Sequence, residues 1–401
     1  MRIILKYESE IQSVIQRLID ATQSTDASIT KNLSLLTGTP GHLLFHWYAA
    51  KSSLYQLETS QFQLQLDQLI DSIPLMGNNI NFGYGLAGYG WLMELLLTEQ
   101  NEGYDPEINQ EIEEYITSVL KQTPVWHGEI EFVLGLSGIA VFAERRLRHE
   151  RGVELYRIII NRLSECAIYK SADTCTWSTP ATSIYRFDKA NPDKPEHNLG
   201  LAHGVPAIIC ALLPAVAHPD SGQKAKKLVS DGCNWLIQQQ LPAGKTGSLF
   251  SNCAEENQPS RLGWCYGDLT IALTLARAGK ALGRQDLIDF ACNLGVHAAQ
   301  RREDSAMVHD AGICHGSSGL MLIFQLLNDI IPKPEFKVAS DYWLENTLAR
   351  IKKDNKKGFY ANKAGQLVED RGLLEGYSGI GLCLLARQGI APDWADALLL
   401  A

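Results

Sequence analysis

Two hydrophobic patterns alternate along the chain, and both predict helices. In the first, apolar residues recur at the i, i+3, i+4, i+7 spacing of an amphipathic helix, as in Ile11, Val14, Ile15, Leu18 and Ile19. In the second, a short run is almost uniformly apolar, as at 91–97 and 320–324. A helix that is apolar all round is buried on every side. The alternation therefore predicts pairs of an outer amphipathic helix and an inner buried helix.

A glycine motif opens most of the buried runs. Gly-x-x-Gly or a near copy occurs seven times, at 38–41, 85–88, 135–138, 204–207, 267–270, 316–319 and 376–379, and the copies start 47 to 69 residues apart. Repeats of this kind must stack on their neighbours to cover their apolar faces. Inner helices without a solvent-exposed face fit a closed ring better than an open solenoid, whose concave face is exposed to solvent. We therefore expect an all-α fold, a closed α/α barrel or toroid of seven helical hairpins, as one domain over residues 1–401.

One interval between repeats lacks the helical period. From 167 to 197 the apolar spacing of a helix disappears, and the stretches 174–180 and 184–187 have the composition of extended chain. We expect an irregular or β-like excursion over residues 167–197, beside the mouth of the ring. Long excursions of this kind in a compact domain are often functional.

Composition and charge exclude several classes of partner. The formal net charge of −9 argues against a nucleic-acid surface, which needs clustered Lys and Arg. Residues 1–23 lack the apolar stretch of a signal peptide, and no segment has the length of a membrane span, so we expect a cytoplasmic chain without stable membrane insertion. The nine cysteines are an odd number scattered along a large chain, which disfavours a disulfide framework.

Metal-binding residue types share one position in three consecutive repeats. The two residues before the opening glycine are Ala202-His203, Cys265-Tyr266 and Cys314-His315 in repeats four, five and six. If the repeats close into a ring, these side chains meet at one end of it. A single cysteine or histidine is more often a core residue, and the shared register is what favours a site. Two thiolates with an imidazole favour zinc.

The predicted site has the composition of a catalytic zinc centre. Cys265, Cys314 and His315 supply three protein ligands and leave the fourth position open. Adjacent side chains diverge by about 100° on a helix, so Cys314 and His315 reach one ion only from a loop or a helix start. The glycine that follows them places them there. Because a thiol bound to zinc is deprotonated at neutral pH, such a site would activate a substrate thiol for addition or alkylation.

Three short sequence motifs, found in a fixed order along the seven repeats, resemble those of a known protein family. They are Asn-Leu-Gly-Leu-Ala-His-Gly (198–204), Gly-Trp-Cys-Tyr-Gly-Asp (263–268) and Cys-His-Gly (314–316), with Arg261 four residues before the first cysteine. The chain thus resembles the lanthionine synthetase C-like family, the lanthipeptide cyclases of class I type. The repeats extend the resemblance over essentially the whole chain.

The resemblance implies a zinc-dependent Michael addition within a dehydrated precursor peptide that carries a leader. A peptide cysteine thiolate attacks dehydroalanine or dehydrobutyrine and gives a lanthionine or methyllanthionine ring. By position, Cys265, Cys314 and His315 match the zinc ligands, and His203 matches the general acid/base. Arg261 and Tyr266 match positions around the site. The resemblance also implies a dehydratase partner and an exporter complex, through which the chain would associate peripherally with a membrane.

The chain departs from the family pattern at a few positions. Glu131 stands where the family commonly has an aspartate that orients the active histidine, and either contact with His203 or a solvated surface position is open for it. Ala207 and Thr270 replace the second glycine in repeats four and five. Neither change removes a ligand.

Three other functions remain open at this point. One is an enzyme of the same family that adds glutathione or another thiol to dehydrated residues. Another is a zinc protein prenyltransferase, although no Lys/Arg cluster for a diphosphate borders Cys265 or Cys314. The third is a non-catalytic peptide-binding toroid. Paired acidic residues, which barrel glycosidases require, are not the residue types found at the shared position.

Overall fold

The protein is predominantly helical, and the structure, a computed structural model, describes residues 2–23, 32–99, 106–219, 221–242 and 247–401. The described α-helices are α1 (Arg2–Gln23), α2 (Thr39–Ala50), α3 (Thr59–Asp71), α4 (Leu86–Glu99), α5 (Gln110–Gln122), α6 (Leu136–Arg145), α7 (Glu150–Glu165), α8 (Val205–Leu212), α9 (Gly222–Ile237), α10 (Asp268–Leu282), α11 (Gln285–Ala298), α12 (Glu303–Ala306), α13 (Ser317–Ile330), α14 (Pro334–Asp354) and α15 (Tyr377–Arg387). Short 3-10 helices span Ile73–Met76, Pro106–Asn109, Leu213–Ala217, Asn355–Phe359 and Asp393–Leu398. Two antiparallel hairpins pair β1 (Ile168–Tyr169) with β2 (Cys175–Thr176) and β3 (Ala361–Lys363) with β4 (Gln366–Val368).

The chain forms two compact units, unit 1 of residues 1–79, 302–399 and 401 and unit 2 of residues 80–301 and 400. In unit 2 the helices α4, α6, α8 and α10 contact one another in that order, and each packs on the helix that follows it. In unit 1 the order of contact is α13, α15 and α2, with α14 on α13, α1 on α15 and α3 on α2. Each unit is thus built from the inner and outer helices that the hydrophobic pattern predicts.

Burial confirms the two predicted helix types. Every residue of α8 is buried, as an inner helix requires. On α1 the apolar positions of the predicted stripe are buried, namely Ile11, Val14, Ile15, Leu18 and Ile19. No described helix combines the length and the apolar character that crossing a membrane would need.

The opening glycine permits a tight turn before each inner helix. A Cβ at Gly204 would lie 2.1 Å from the carbonyl oxygen of Asn198, so a larger residue has no room there. Gly267 has a φ of +108°, which side-chain-bearing residues rarely adopt. In four repeats an Asn or Asp six residues before the glycine accepts a hydrogen bond from the backbone N–H two residues further on: Asn32, Asn198, Asp310 and Asp370.

Backbone hydrogen bonds join these turns from one repeat to the next within each unit. In unit 2 they run from Gly83 N to Val133 O, from Phe132 N to Ala202 O, and from Ala202 N to Cys265 O. In unit 1 they run from Cys314 N to Leu374 O and from Leu374 N to Leu36 O. Residues at the same register position are therefore neighbours within a unit.

The stretch before α8 holds the first hairpin and is otherwise irregular. Among residues 167–204, β1 and β2 are the regular elements described. Two buried charged residues fix the loop that follows them. Arg186, 4% exposed, donates to the carbonyl oxygen of Lys194 at 2.7 Å, and Glu196, 3% exposed, accepts from the backbone N–H of Asp188 at 2.9 Å. This loop is tied to itself by charge-assisted hydrogen bonds.

Candidate functional site

Three potential metal ligands lie together in unit 1, at the turns before α13 and α15. The ligand atoms of Cys314, His315 and Glu375 all lie within 4.8 Å of one another. His315 Nε2 is 3.4 Å from Glu375 Oε1. The side chains of His315 and Glu375 are 16% and 26% exposed, so they are partly open to solvent.

Two further charged residues adjoin this group. His315 Nδ1 lies 3.3 Å from Asp310 Oδ2, and Lys363 Nζ lies 3.3 Å from Glu375 Oε2. Burial raises the pKa of Asp310, but the hydrogen bond and the charge of His315 outweigh it and lower that pKa overall. The hydrogen bond to His315, aided by the charge of Lys363, lowers the pKa of Glu375 despite its burial. Both carboxyl groups are therefore anionic at neutral pH.

The donor set fits a divalent transition metal. Sulfur, imidazole nitrogen and carboxylate oxygen are the ligand types that zinc accepts in proteins. The structure brings the predicted residues Cys314 and His315 together with Glu375, which the sequence reasoning missed. Its signal was present, since Glu375 directly precedes Gly376, just as His315 precedes Gly316.

The third predicted ligand, Cys265, belongs to unit 2. It lies in the turn before α10 and is 8% exposed, and its carbonyl oxygen accepts from Ala202 N at 3.4 Å. Cys265 therefore lies in the turn before an inner helix, as Cys314 and His315 do in unit 1. That it binds the same ion as Cys314 and His315 stays a prediction.

The predicted acid/base residue His203 forms a pair with Glu131 in unit 2. His203 Nδ1 lies 2.7 Å from Glu131 Oε2. Glu131 is 3% exposed and also accepts from the backbone N–H groups of Val133, at 2.8 Å, and Leu134. A carboxylate held by two backbone donors has its orientation fixed. Of the two positions open for Glu131, the structure has the one in contact with His203.

Aromatic residues surround the His203 ring. Tyr185, from the irregular loop, stacks on it with the ring centroids 3.6 Å apart and the planes 19° apart. Tyr266 lies at 6.4 Å and a tilt of 46°, and its hydroxyl accepts from Asn198 Nδ2 at 2.9 Å. Phe187 contacts Tyr266 edge to face at 5.8 Å. Sequence reasoning identified Tyr266 but missed Tyr185, because no periodicity marks a contact made by an irregular loop.

A second glutamate lies near the pair. Glu129 lines a small cavity with Glu131, Asn198 and His203. Burial, reinforced by the negative charge of Glu131, raises the pKa of Glu129, while Ser183 and His203 act in the opposite direction. The surroundings of His203 therefore contain a second carboxyl group besides that of Glu131.

Arg261 is half-buried in the turn before α10, four residues ahead of Cys265. Among the described residues, the Arg261 guanidinium has no hydrogen-bond or ion-pair partner. Unpaired guanidinium groups are available to bind an anionic or carbonyl-bearing ligand.

Comparisons with known proteins give both fold and family. The structure is similar to that of nisin cyclase, with a TM-score of 0.74, 21% sequence identity and coverage of 98% of each chain. The expected fold class is confirmed, because the chain shares the fold of that protein, an α/α toroid. The model of the family described as lanthionine synthetase C-like protein matches residues 30–399. The resemblance found in the sequence is thus confirmed, and the chain belongs to the lanthionine synthetase C-like family.

Proposed function

We propose that this chain is a zinc-dependent lanthipeptide cyclase. It forms lanthionine and methyllanthionine rings by adding cysteine thiolates of a dehydrated precursor peptide to dehydroalanine or dehydrobutyrine. The observation that carries the proposal is the group of Cys314, His315 and Glu375, a set of zinc-type donors in a chain of the lanthionine synthetase C-like family. The family and the fold shared with nisin cyclase support the assignment as an enzyme.

Cys314 and His315 would hold the zinc ion, with Cys265 as the third ligand predicted from the sequence. A bound zinc ion would supply the positive charge that keeps the substrate thiol deprotonated at neutral pH. Cysteine ligands suit this task, because two thiolates offset the charge of the ion and leave an added thiolate electron-rich and nucleophilic.

His203 would carry the proton of the reaction. Both oxygens of Glu131 accept hydrogen bonds from backbone N–H groups, so His203 Nδ1 would be the donor in their 2.7 Å contact. The proton transferred in the reaction is then the one on Nε2. The thiol loses one proton and the α-carbon of the enolate gains one, so the ring product has the same mass as the linear dehydrated peptide.

Arg261 and Tyr266 would act on the peptide. The half-buried guanidinium of Arg261 is suited to the oxygen of the enolate, where negative charge develops. Tyr266, fixed by Asn198, would orient the substrate beside His203. Tyr185 would hold the imidazole plane by stacking on it.

The partners and location inferred from the resemblance form part of the proposal. They are a precursor peptide with a leader, a dehydratase, and an exporter complex at the membrane, with the chain itself in the cytoplasm. Co-purification from cells that make all components tests these partners. Recovery of the chain alone, even after chemical cross-linking, would count against a complex.

Ring formation is tested by incubating the protein with a dehydrated peptide that has one cysteine. Because cyclisation leaves the mass unchanged, the free thiol is alkylated before or after incubation and counted by mass spectrometry. We expect thiols to be lost with wild-type protein and zinc, and more slowly with His203→Asn, which should keep its zinc. Wild-type rates for His203→Asn would show that His203 is a core residue.

The same experiment separates the other functions. With glutathione present, an intermolecular thiol-adding enzyme gives a peptide heavier by one glutathione, whereas a cyclase gives the unshifted mass. With prenyl diphosphate and a cysteine peptide, a prenyltransferase gives the mass of the prenyl adduct. A peptide that is bound but unchanged in every mixture would identify a non-catalytic binding protein.

A further inference from the structure

Glu375 lies beside two of the predicted zinc ligands, Cys314 and His315. Its carboxylate is within 4.8 Å of the ligand atoms of both Cys314 and His315, and its Oε1 is 3.4 Å from His315 Nε2. Glu375 directly precedes the opening glycine of repeat seven, as His315 does in repeat six. The hydrogen bond from Cys314 N to Leu374 O, 2.8 Å long, holds these two turns together.

Asp310 lies beside one of the two ring nitrogens of His315. Its carboxylate is 1% exposed and accepts from Gly312 N and Asn362 N, each at 3.0 Å, so it is fixed in place. Its Oδ2 lies 3.3 Å from His315 Nδ1. A histidine that binds a metal commonly gives its other ring N–H to a carboxylate. His315 Nε2 would then be the ligand atom, and it is the ring nitrogen that lies 3.4 Å from Glu375 Oε1.

Lys363 offers the Glu375 carboxylate a second partner. Lys363 Nζ is 3.3 Å from Glu375 Oε2 and 2.9 Å from Asp370 Oδ2. One oxygen of Glu375 therefore faces the histidine while the other faces a cation. A carboxylate between two positive partners can leave one of them without becoming an unpaired charge.

We propose that Glu375 is the fourth metal ligand of the substrate-free protein and that the substrate thiol replaces it, leaving the carboxylate paired with Lys363. The inference rests on the proposed function. In the exchange one metal–oxygen bond breaks and one metal–sulfur bond forms, the thiol proton leaves to solvent, and nothing is oxidised or reduced. One anionic ligand replaces another, so the net charge of the ligand set stays constant.

If this exchange occurs, loss of the Glu375 carboxylate should change the affinity for zinc and the affinity for the thiol in opposite directions. Loss of the Glu375 carboxylate should weaken zinc binding about 10- to 100-fold. This is the range seen when residues that support metal ligands are removed. Because coupling between two ligands is reciprocal, the same loss should strengthen thiol binding to the zinc-loaded protein by about the same factor. A residue that only supports the fold would not improve thiol binding.

The test uses the full chain, with zinc affinity measured against a chelating dye and thiol affinity measured by calorimetry with N-acetylcysteine amide. For Glu375→Gln we expect weaker zinc binding and tighter thiol binding. For Lys363→Met we expect thiol binding about two- to fivefold weaker, as loss of a partly exposed ion pair implies, and zinc binding stronger by about the same factor. Glu369→Gln is the matched control on the same segment, since Glu369 pairs with Lys356 and Arg371 and should affect neither affinity.

The outcomes separate this inference from the proposed function. Wild-type protein without affinity for zinc would refute both. Wild-type protein that binds zinc, together with a Glu375→Gln variant that keeps both affinities or loses thiol affinity, would refute the role of Glu375 alone. If Glu375→Gln does not fold, as judged by circular dichroism, Lys363→Met decides, and unchanged thiol affinity in that variant overturns the exchange.

Discussion

Replacement of Glu131 by glutamine tests the proton-transfer role of the pair that it forms with His203. The carboxylate is 3% exposed, and its Oε2 lies 2.7 Å from His203 Nδ1. A hydrogen bond that involves a charged group contributes about 1.5–3 kcal/mol. At about 1.4 kcal/mol per factor of ten, its loss predicts a kcat for ring formation roughly 10- to 100-fold lower. Glutamine has the same shape and keeps one acceptor oxygen, so zinc content should not change.

The assay follows the loss of free thiol from a dehydrated peptide with time, over a range of peptide concentrations. The chain offers a matched control, because Glu255 Oε1 lies 2.6 Å from His197 Nδ1 in the same unit. Glu255→Gln removes a similar pair and should leave kcat unchanged. A Glu131→Gln variant as fast as wild type would refute the reasoning, and an equal loss in Glu255→Gln would assign the effect to the stability of unit 2.

Two further predictions follow from ring contacts and from burial. Tyr185→Ala should lower kcat by up to about tenfold, because an aromatic pair contributes about 0.5–1.5 kcal/mol. Two control variants should keep the wild-type kcat, namely Tyr185→Phe and Ile184→Ala, which changes an exposed neighbour. A Phe variant as slow as the Ala variant would assign the effect to the hydroxyl. Burial lowers the pKa of His42 to about 4 and that of His46 to about 3, so below pH 6.5 the unfolded chain binds more protons than the folded protein and stability falls as the pH falls. Between pH 6.5 and pH 5 each histidine should lower the free energy of unfolding by about 1.6 kcal/mol. Urea unfolding checks this, and over that interval His42→Leu should lose about 1.6 kcal/mol less unfolding free energy than wild type.

The repeat itself could be predicted from the sequence, because its signals are local. Apolar periodicity identifies both helix types, and the glycine is required where a Cβ at Gly204 would meet the carbonyl oxygen of Asn198. The register then places candidate residues at equivalent turns, and the contact of Glu131 with His203 joins two such turns. These are contacts between repeats that follow one another in the chain.

Two kinds of contact could not be predicted from the sequence. One is made by an irregular loop, and the other by a residue whose type and position are common without any function. Tyr185 reaches His203 from a loop whose path is set by the buried charges of Arg186 and Glu196, and no sequence period records that path. Glu375 has the register of a site residue, but a glutamate before a helix is more often a solvated charge. The link from Asp310 to His315 appears only once the turn before α13 is built.

The zinc content of purified protein, counted by native mass spectrometry and compared with ring formation by the same samples, tests the central claim most directly. Wild-type protein should hold about one zinc per chain, as a single site of this type does. Cys314→Ala and Cys265→Ala should lose both the metal and the ability to close rings. Ring formation at the wild-type rate by a metal-free sample of either variant would contradict the account.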